Sequence, residues 1–330
     1  MKLISSIAAL SMLSVVGACG GGGAATPATP SALLSSANQH VAAQEAMTAF
    51  LMPVLAVELL ADVLFADGGV PFGMARGPME QFPTHIARAK TNRVSAGGVQ
   101  SQSIACPLGG SLTVSVTDAD EDGIVSAGDA MTVVGDDCIE ANGTLKGSWG
   151  VAINRVSGAL GSSDYSAVIG MTFDRLSVSS TQLKAGVSGD LTLSVTLSGG
   201  NALEASVSSA SLSVSGSYAG ETRTRDLSNY RATLTRLPHS SDVYQTSYTV
   251  AGILSSSALS SQSISIETTT PFVQRYTDIY PVSGAMVLNG AGNSRVRLTT
   301  LSVVQLKQEL DANGDGVYES TSMIDWSSLM

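Results

Sequence analysis

Histidine is scarce in this chain, with three residues in 330, and aromatic residues make up only 5%. His40, His85 and His239 fall in different kinds of segment, and no G-x-S-x-G, H-E-x-x-H or G-x-x-x-x-G-K-S/T motif occurs. The residue patterns of serine hydrolases, zinc peptidases and phosphate-loop enzymes are therefore missing, and the chain is expected not to be an enzyme. Charge is thin as well: 13% of residues are charged, the net formal charge is −10, and the pI is near 4.7. An acidic surface repels phosphate backbones, which argues against a nucleic-acid partner. Cysteine occurs three times. What the chain has in quantity is serine, threonine and glycine, together with a hydrophobic fraction of 44% that is too high for wholesale disorder.

The first cysteine sits in an informative place. Lys2 is followed by an apolar stretch, Leu3 to Val16, and then by Gly17-Ala18-Cys19. This is the layout of a bacterial lipobox within a signal peptide. The stretch is too short to span about 30 Å of hydrocarbon. Removal of residues 1–18 would leave acylated Cys19 as the first residue and the membrane as a partner. An ordinary secretory leader ending in cysteine is the alternative. Residues 19–37, rich in Gly, Pro, Ala and Ser, have the composition of a flexible tether, with a mean reach of about 23 Å at roughly 5–6 Å times the square root of its length. Each buried acyl methylene contributes about 0.8 kcal/mol, so several chains hold the protein almost permanently. Gly20, where related lipoproteins carry an aspartate for inner-membrane retention, points to the outer membrane.

Residues 38–100 divide into a helical segment and a basic irregular loop. Ala42, Ala46, Met47, Phe50, Leu51, Val54, Leu55, Leu59, Val63 and Leu64 recur at helical spacing, and Pro53 predicts a kink. Glu58 and Asp62 make one narrow polar stripe, so this helix needs burial around most of its circumference. A second membrane span competes, against the cost of two central acids of about 2.5–3.5 kcal/mol each. Arg76, His85, Arg88, Lys90 and Arg93 make the following loop basic.

After Ser101 the period changes to two. Leu112, Val114 and Val116 alternate with Ser and Thr, as do Leu191, Leu193, Val195 and Leu197. Tyr165, Ala167, Ile169, Met171 and Phe173 alternate likewise, and then Leu176 and Val178 change phase, which predicts a bulge. Val304, Leu306 and Leu310 are assigned to one face, with Gln305, Lys307 and Glu309 on the other. Turn signals such as Asn142-Gly143 and Asn289-Gly290 separate the runs. Roughly a dozen strands over 101–330 predict a mainly β protein: a large, curved antiparallel meander sheet, open or barrel-like, with the N-terminal helix packed on or in it. A membrane β-barrel shares the alternation but needs more aromatics for two girdles.

Two constellations carry possible chemistry. Cys106 and Cys138, an even pair in an exported protein, predict a disulfide, with two buried thiols as the alternative. Asp118, Asp120 and Asp122 stand two apart, Gly123 follows, and Asp129 is twelfth from the first. With the Ile124 carbonyl at position seven, this matches most of a calcium-loop template; an acidic solvated turn is the competing reading. Asp311, Asn313, Asp315 and Gly316 repeat the start of the template, but Ser322 stands twelfth, and a hairpin turn is the better reading there.

Ala127-Gly128-Asp129-Ala130-Met131-Thr132-Val133-Val134, leading to Asp136-Asp137-Cys138 and Asn142-Gly143, resembles a group of uncharacterised proteobacterial lipoproteins. Leu227-Ser228-Asn229-Tyr230, Ile266 to Phe272, and Leu310 to Gly316 with Trp326 fit the same group. The resemblance covers Ser101 to Met330 and implies a β-rich exported protein without a transferable activity; Val133-Val134 departs from a phenylalanine often found there. The expected function is that of a non-enzymatic, membrane-anchored lipoprotein that binds an apolar ligand or an envelope partner. The alternative is a structural or adhesive surface module stiffened by Ca2+.

Overall fold

The computed structural model describes residues 32–50, 99–141, 143–159, 162–180, 183–200, 202–218, 221–240 and 243–329. Cys19, the leader, most of the tether, Pro53, Glu58, Asp62 and the basic loop with His85 lie outside the described residues.

One antiparallel meander accounts for the β domain. Fourteen strands follow one another in chain order: β1 Val99–Ala105, β2 Gly109–Thr117, β3 Ala130–Glu140, β4 Gly143–Ser157, β5 Tyr165–Ser179, β6 Leu183–Ser198, β7 Ala202–Tyr218, β8 Glu221–Ser240, β9 Val243–Ser256, β10 Gln262–Arg275, β11 Ser283–Asn289, β12 Arg295–Thr300, β13 Gln305–Asp311 and β14 Ser320–Asp325. Among the described residues β1 pairs only with β2 and β14 only with β13, so the sheet stays open. The alternation seen in the sequence sets the faces. Val114, Val116, Met131, Val133, Val151, Ile153, Ile169 and Leu193 are buried in a single hydrophobic cluster that runs on to Leu298, Leu306 and Trp326. The opposite face carries hydroxyl ladders such as Ser115–Ser101 and Thr233–Thr249, cross-strand pairs of the kind that stabilise a solvated sheet face.

Among the register slips of the sheet, two bear directly on these faces. Between Phe173 and Leu176 the register slips, with Arg175 at a φ of 48°, where the change of phase predicts it. In β8 the register slips between Ser228 and Arg231, with Asn229 at a φ of 48°. The extra residue puts Leu227 and Tyr230, an odd number apart, on the same buried face.

A helix, α1, spans residues 39–50 of the described chain. Ala42, Ala46, Met47 and Phe50 are all buried, as the helical spacing predicts. Phe50 meets Phe272 and Tyr248 edge-on at 4.9 and 5.8 Å. The cluster continues through Phe272 to Trp326, which stacks on Tyr280. The Tyr230 hydroxyl donates to the Ala49 carbonyl at 2.6 Å, and burial pushes this phenol well above its ordinary value. No described helix is long and apolar enough to cross a membrane.

Part of the stretch that composition assigns to the tether is packed against the sheet. Ala32 and Leu34, within the stretch assigned to the tether, are fully buried. The Ala32 amide donates to Ser263, its carbonyl accepts from Ala291, and the Leu34 amide donates to the Ser294 hydroxyl. Val304 also differs from its assignment: it is 58% exposed. It precedes β13, in a turn where Ser302 accepts the amides of Val304 and Gln305, so the inward row consists of Leu306, Gln308 and Leu310.

Candidate functional site

The β2–β3 connection concentrates the predicted ligating residues. Gly123, at a φ of 74°, makes the sharp turn that position six of the template requires. Asp118 Oδ2 accepts the Gly123 amide at 3.0 Å, and Asp122 Oδ1 accepts the Ile124 amide at 2.6 Å. Asp120 accepts the Asp122 amide at 3.4 Å and the Ser126 hydroxyl at 2.9 Å. Asp129 bridges the two ends of the loop, taking the Ala119 amide on Oδ1 and the Ser126 amide on Oδ2. One ligand oxygen each from Asp118, Asp120 and Asp129 lies within 4.8 Å of the others; Asp122 stands outside that group.

The electrostatics of the three differ. Burial pushes the Asp129 carboxyl above its ordinary value, with the Asp118 and Asp120 charges adding to the rise and the Ala119 and Ser126 amides opposing it. The Ser126 hydroxyl holds Asp120 below its ordinary value. Asp118 is 2% exposed, and its Oδ1 has no hydrogen-bond partner among the described residues.

The β13–β14 connection repeats the cradle. Asp311 Oδ2 accepts the Gly316 amide at 3.0 Å, Asp315 Oδ1 accepts the Val317 amide at 2.8 Å, and Glu319 accepts the Ala312 amide at 2.8 Å. Here, however, Asp311 Oδ1 takes the Gly314 amide at 2.7 Å, while Asn313 and Asp315 bond each other. The loop closes a hairpin between two strands, as the sequence predicts, and it satisfies its buried carboxylate with backbone alone.

Cys106, just after β1, and Cys138, in β3, form a disulfide with Cα atoms 5.4 Å apart. It ties the β1–β2 turn to the third strand at the free β1 edge of the sheet.

Two buried polar groups escape sequence reasoning. Glu45 of α1 is almost fully buried. Its carboxylate receives Arg225 through two hydrogen bonds at 2.6 and 3.0 Å, the Ser256 hydroxyl at 2.9 Å, and Arg223 at 3.6 Å. The only sequence signal is a lone acid between apolar Ala42, Ala46 and Met47. Trp149 of β4 lies 4% exposed on the inner face, opposite Val133 on β3 and Phe173 on β5. Among the described residues its indole N–H has no acceptor, whereas the indole of Trp326 donates to the Ser302 carbonyl.

No protein-family model, no curated protein and no solved structure matches the chain.

Proposed function

We propose that this is an exported, non-enzymatic lipoprotein, held at the outer membrane through acylated Cys19, whose curved sheet holds an apolar ligand with a hydrogen-bond acceptor on its inner face. Trp149 carries the reading. A buried indole N–H without a partner costs about 1–3 kcal/mol, and most buried tryptophans find an acceptor. The side chains paired with it across the strands, Val133 and Phe173, are apolar and carry no acceptor. A lipid with an ester, carboxyl or hydroxyl oxygen supplies both the apolar body and the missing acceptor.

The chain has two tryptophans, so Trp326→Phe leaves Trp149 as the sole indole reporter. Titrating that full-length variant with a long-chain fatty acid or a monoacyl phospholipid, below micelle formation, is expected to shift its emission and saturate. Trp149→Phe is expected to weaken binding roughly two- to tenfold, the loss of one hydrogen bond. Emission indifferent to every lipid tried, with no lipid co-purifying, would remove the ligand. The anchor is tested separately: Cys19→Ala is expected to stay unprocessed and to lose lipid labelling. Normal processing and labelling of that variant would sink the tether.

A further inference from the structure

A carboxylate in a loop of acids is ordinarily solvated, and a buried one ordinarily accepts hydrogen bonds on both oxygens. Asp118 does neither. Its Oδ2 takes the Gly123 amide, while its Oδ1 is buried without a donor. Two more acids, Asp120 and Asp129, place oxygens within 4.8 Å of it and of each other. Three like charges at that spacing repel unless a cation or water separates them.

We propose that the β2–β3 loop binds one Ca2+, with Asp118 Oδ1 as the central ligand, Asp120 and Asp129 beside it, and the Ile124 carbonyl at position seven. The separation fits the ion. Calcium–oxygen distances of about 2.3–2.6 Å allow two ligands of one ion to stand up to roughly 5 Å apart. Magnesium holds its ligands at about 2.0–2.1 Å in a strict octahedron and sheds water reluctantly, so a site built mainly from protein oxygens favours calcium. An all-oxygen donor set gives zinc and copper none of their preferred nitrogen or sulfur. The amides already bonded to these carboxylates hold them in place, and each oxygen keeps a second lone pair for the ion.

The β13–β14 loop is the internal comparison. It has the same amide cradle, but Asp311 spends both oxygens on Gly314 and Gly316. It therefore lacks the unpaired buried oxygen, and the inference is confined to the first loop.

Calorimetric titration of the full chain in detergent with calcium chloride, paired with thermal melts in calcium and in chelator, tests the site. One ion per chain is expected, with a Kd at or below the range of about 10⁻⁴–10⁻³ M common to extracellular modules, and a melting temperature that rises with calcium but not with equal magnesium. Asp118→Asn keeps an acceptor for Gly123, and Asp120→Ala alters an exposed side chain; each is expected to weaken binding at least about tenfold through loss of ligand charge. Asp315→Asn, in the second loop, is expected to leave binding unchanged. The absence of calcium heat and of any calcium-dependent melt in the unaltered chain would overturn the site. So would wild-type binding by both Asp118→Asn and Asp120→Ala.

Discussion

Glu45→Ala is expected to destabilise the protein by about 3–5 kcal/mol, the usual penalty for stripping one partner from a buried ion pair. The carboxylate is 1% exposed and Arg225 is 12% exposed, so neither charge has much water to fall back on. Removing it leaves the largely buried Arg225 guanidinium, which pairs across the strands with Ser256, without the carboxylate it bonds, and it also frees the Ser256 hydroxyl. Arg223, more than a third exposed, can turn to solvent and should contribute little to the loss. The pair also decides where α1 sits. Apolar contacts around Phe50 tolerate sliding, whereas a two-bond Arg–carboxylate fork admits one register. On equilibrium denaturation the variant should therefore lose stability and should open α1 to hydrogen exchange before the sheet. Pairing Glu45→Leu with Arg225→Met removes both charges and should recover most of the loss. A single variant within about 1 kcal/mol of the parent would show that the helix is held by its apolar face alone.

Replacing both Cys106 and Cys138 with alanine is expected to cost roughly 3.5–4 kcal/mol on the chain-entropy model. The bond closes a loop spanning a sequence separation of 32 residues that contains all of β2 and the acidic connection. Its position sharpens the effect. β1 has one neighbour, and its side chains are mostly exposed, so little burial holds it in place. Without the bond the β1–β2 hairpin should fray first, and reduction of the unaltered protein should reproduce the variant's melt. A double-alanine variant that melts with the parent would mean that strand pairing alone secures this edge.

The alternating strands were legible because side chains on a strand repeat every two residues, a property that each short window carries by itself. Leu191 to Leu197 and Leu112 to Val116 needed nothing from elsewhere in the chain. The bulge after Phe173 was legible for the same reason, since one extra residue inverts the phase locally. β8 carries no clean alternation. Its inner row mixes Arg223 and Arg225 with Leu227, and the slip at Asn229 breaks the count before Tyr230. β14 is short and almost entirely exposed, and therefore has no apolar alternation to read. Val304 was placed inward by parity, but parity applies only within a strand, and the chain is still turning there.

The candidate site divides along the same line. The spacing of Asp118, Asp120, Asp122, Gly123 and Asp129 was visible because a metal loop draws its ligands from a dozen consecutive residues. The disulfide was visible because only one pair of cysteines remained after Cys19. Whether a carboxylate oxygen is left without a donor depends on which amides fold back onto it. Asp118 and Asp311 open loops that begin alike in sequence, yet only Asp118 keeps a buried oxygen without a donor among the described residues. Glu45 and Arg225 stand 180 residues apart, and no local pattern in either segment announces the other. Periodicity, turn residues and ligand spacing are short-range properties, and with them the amino-acid order alone determined a β meander, its apolar face and the acidic loop. Burial, charge pairing and unpaired donors or acceptors arise between segments far apart in the chain. The packing of α1 against β8 to β10, the Glu45–Arg225 pair and the lone indole of Trp149 were therefore decided only when the sheet curved and brought those segments together.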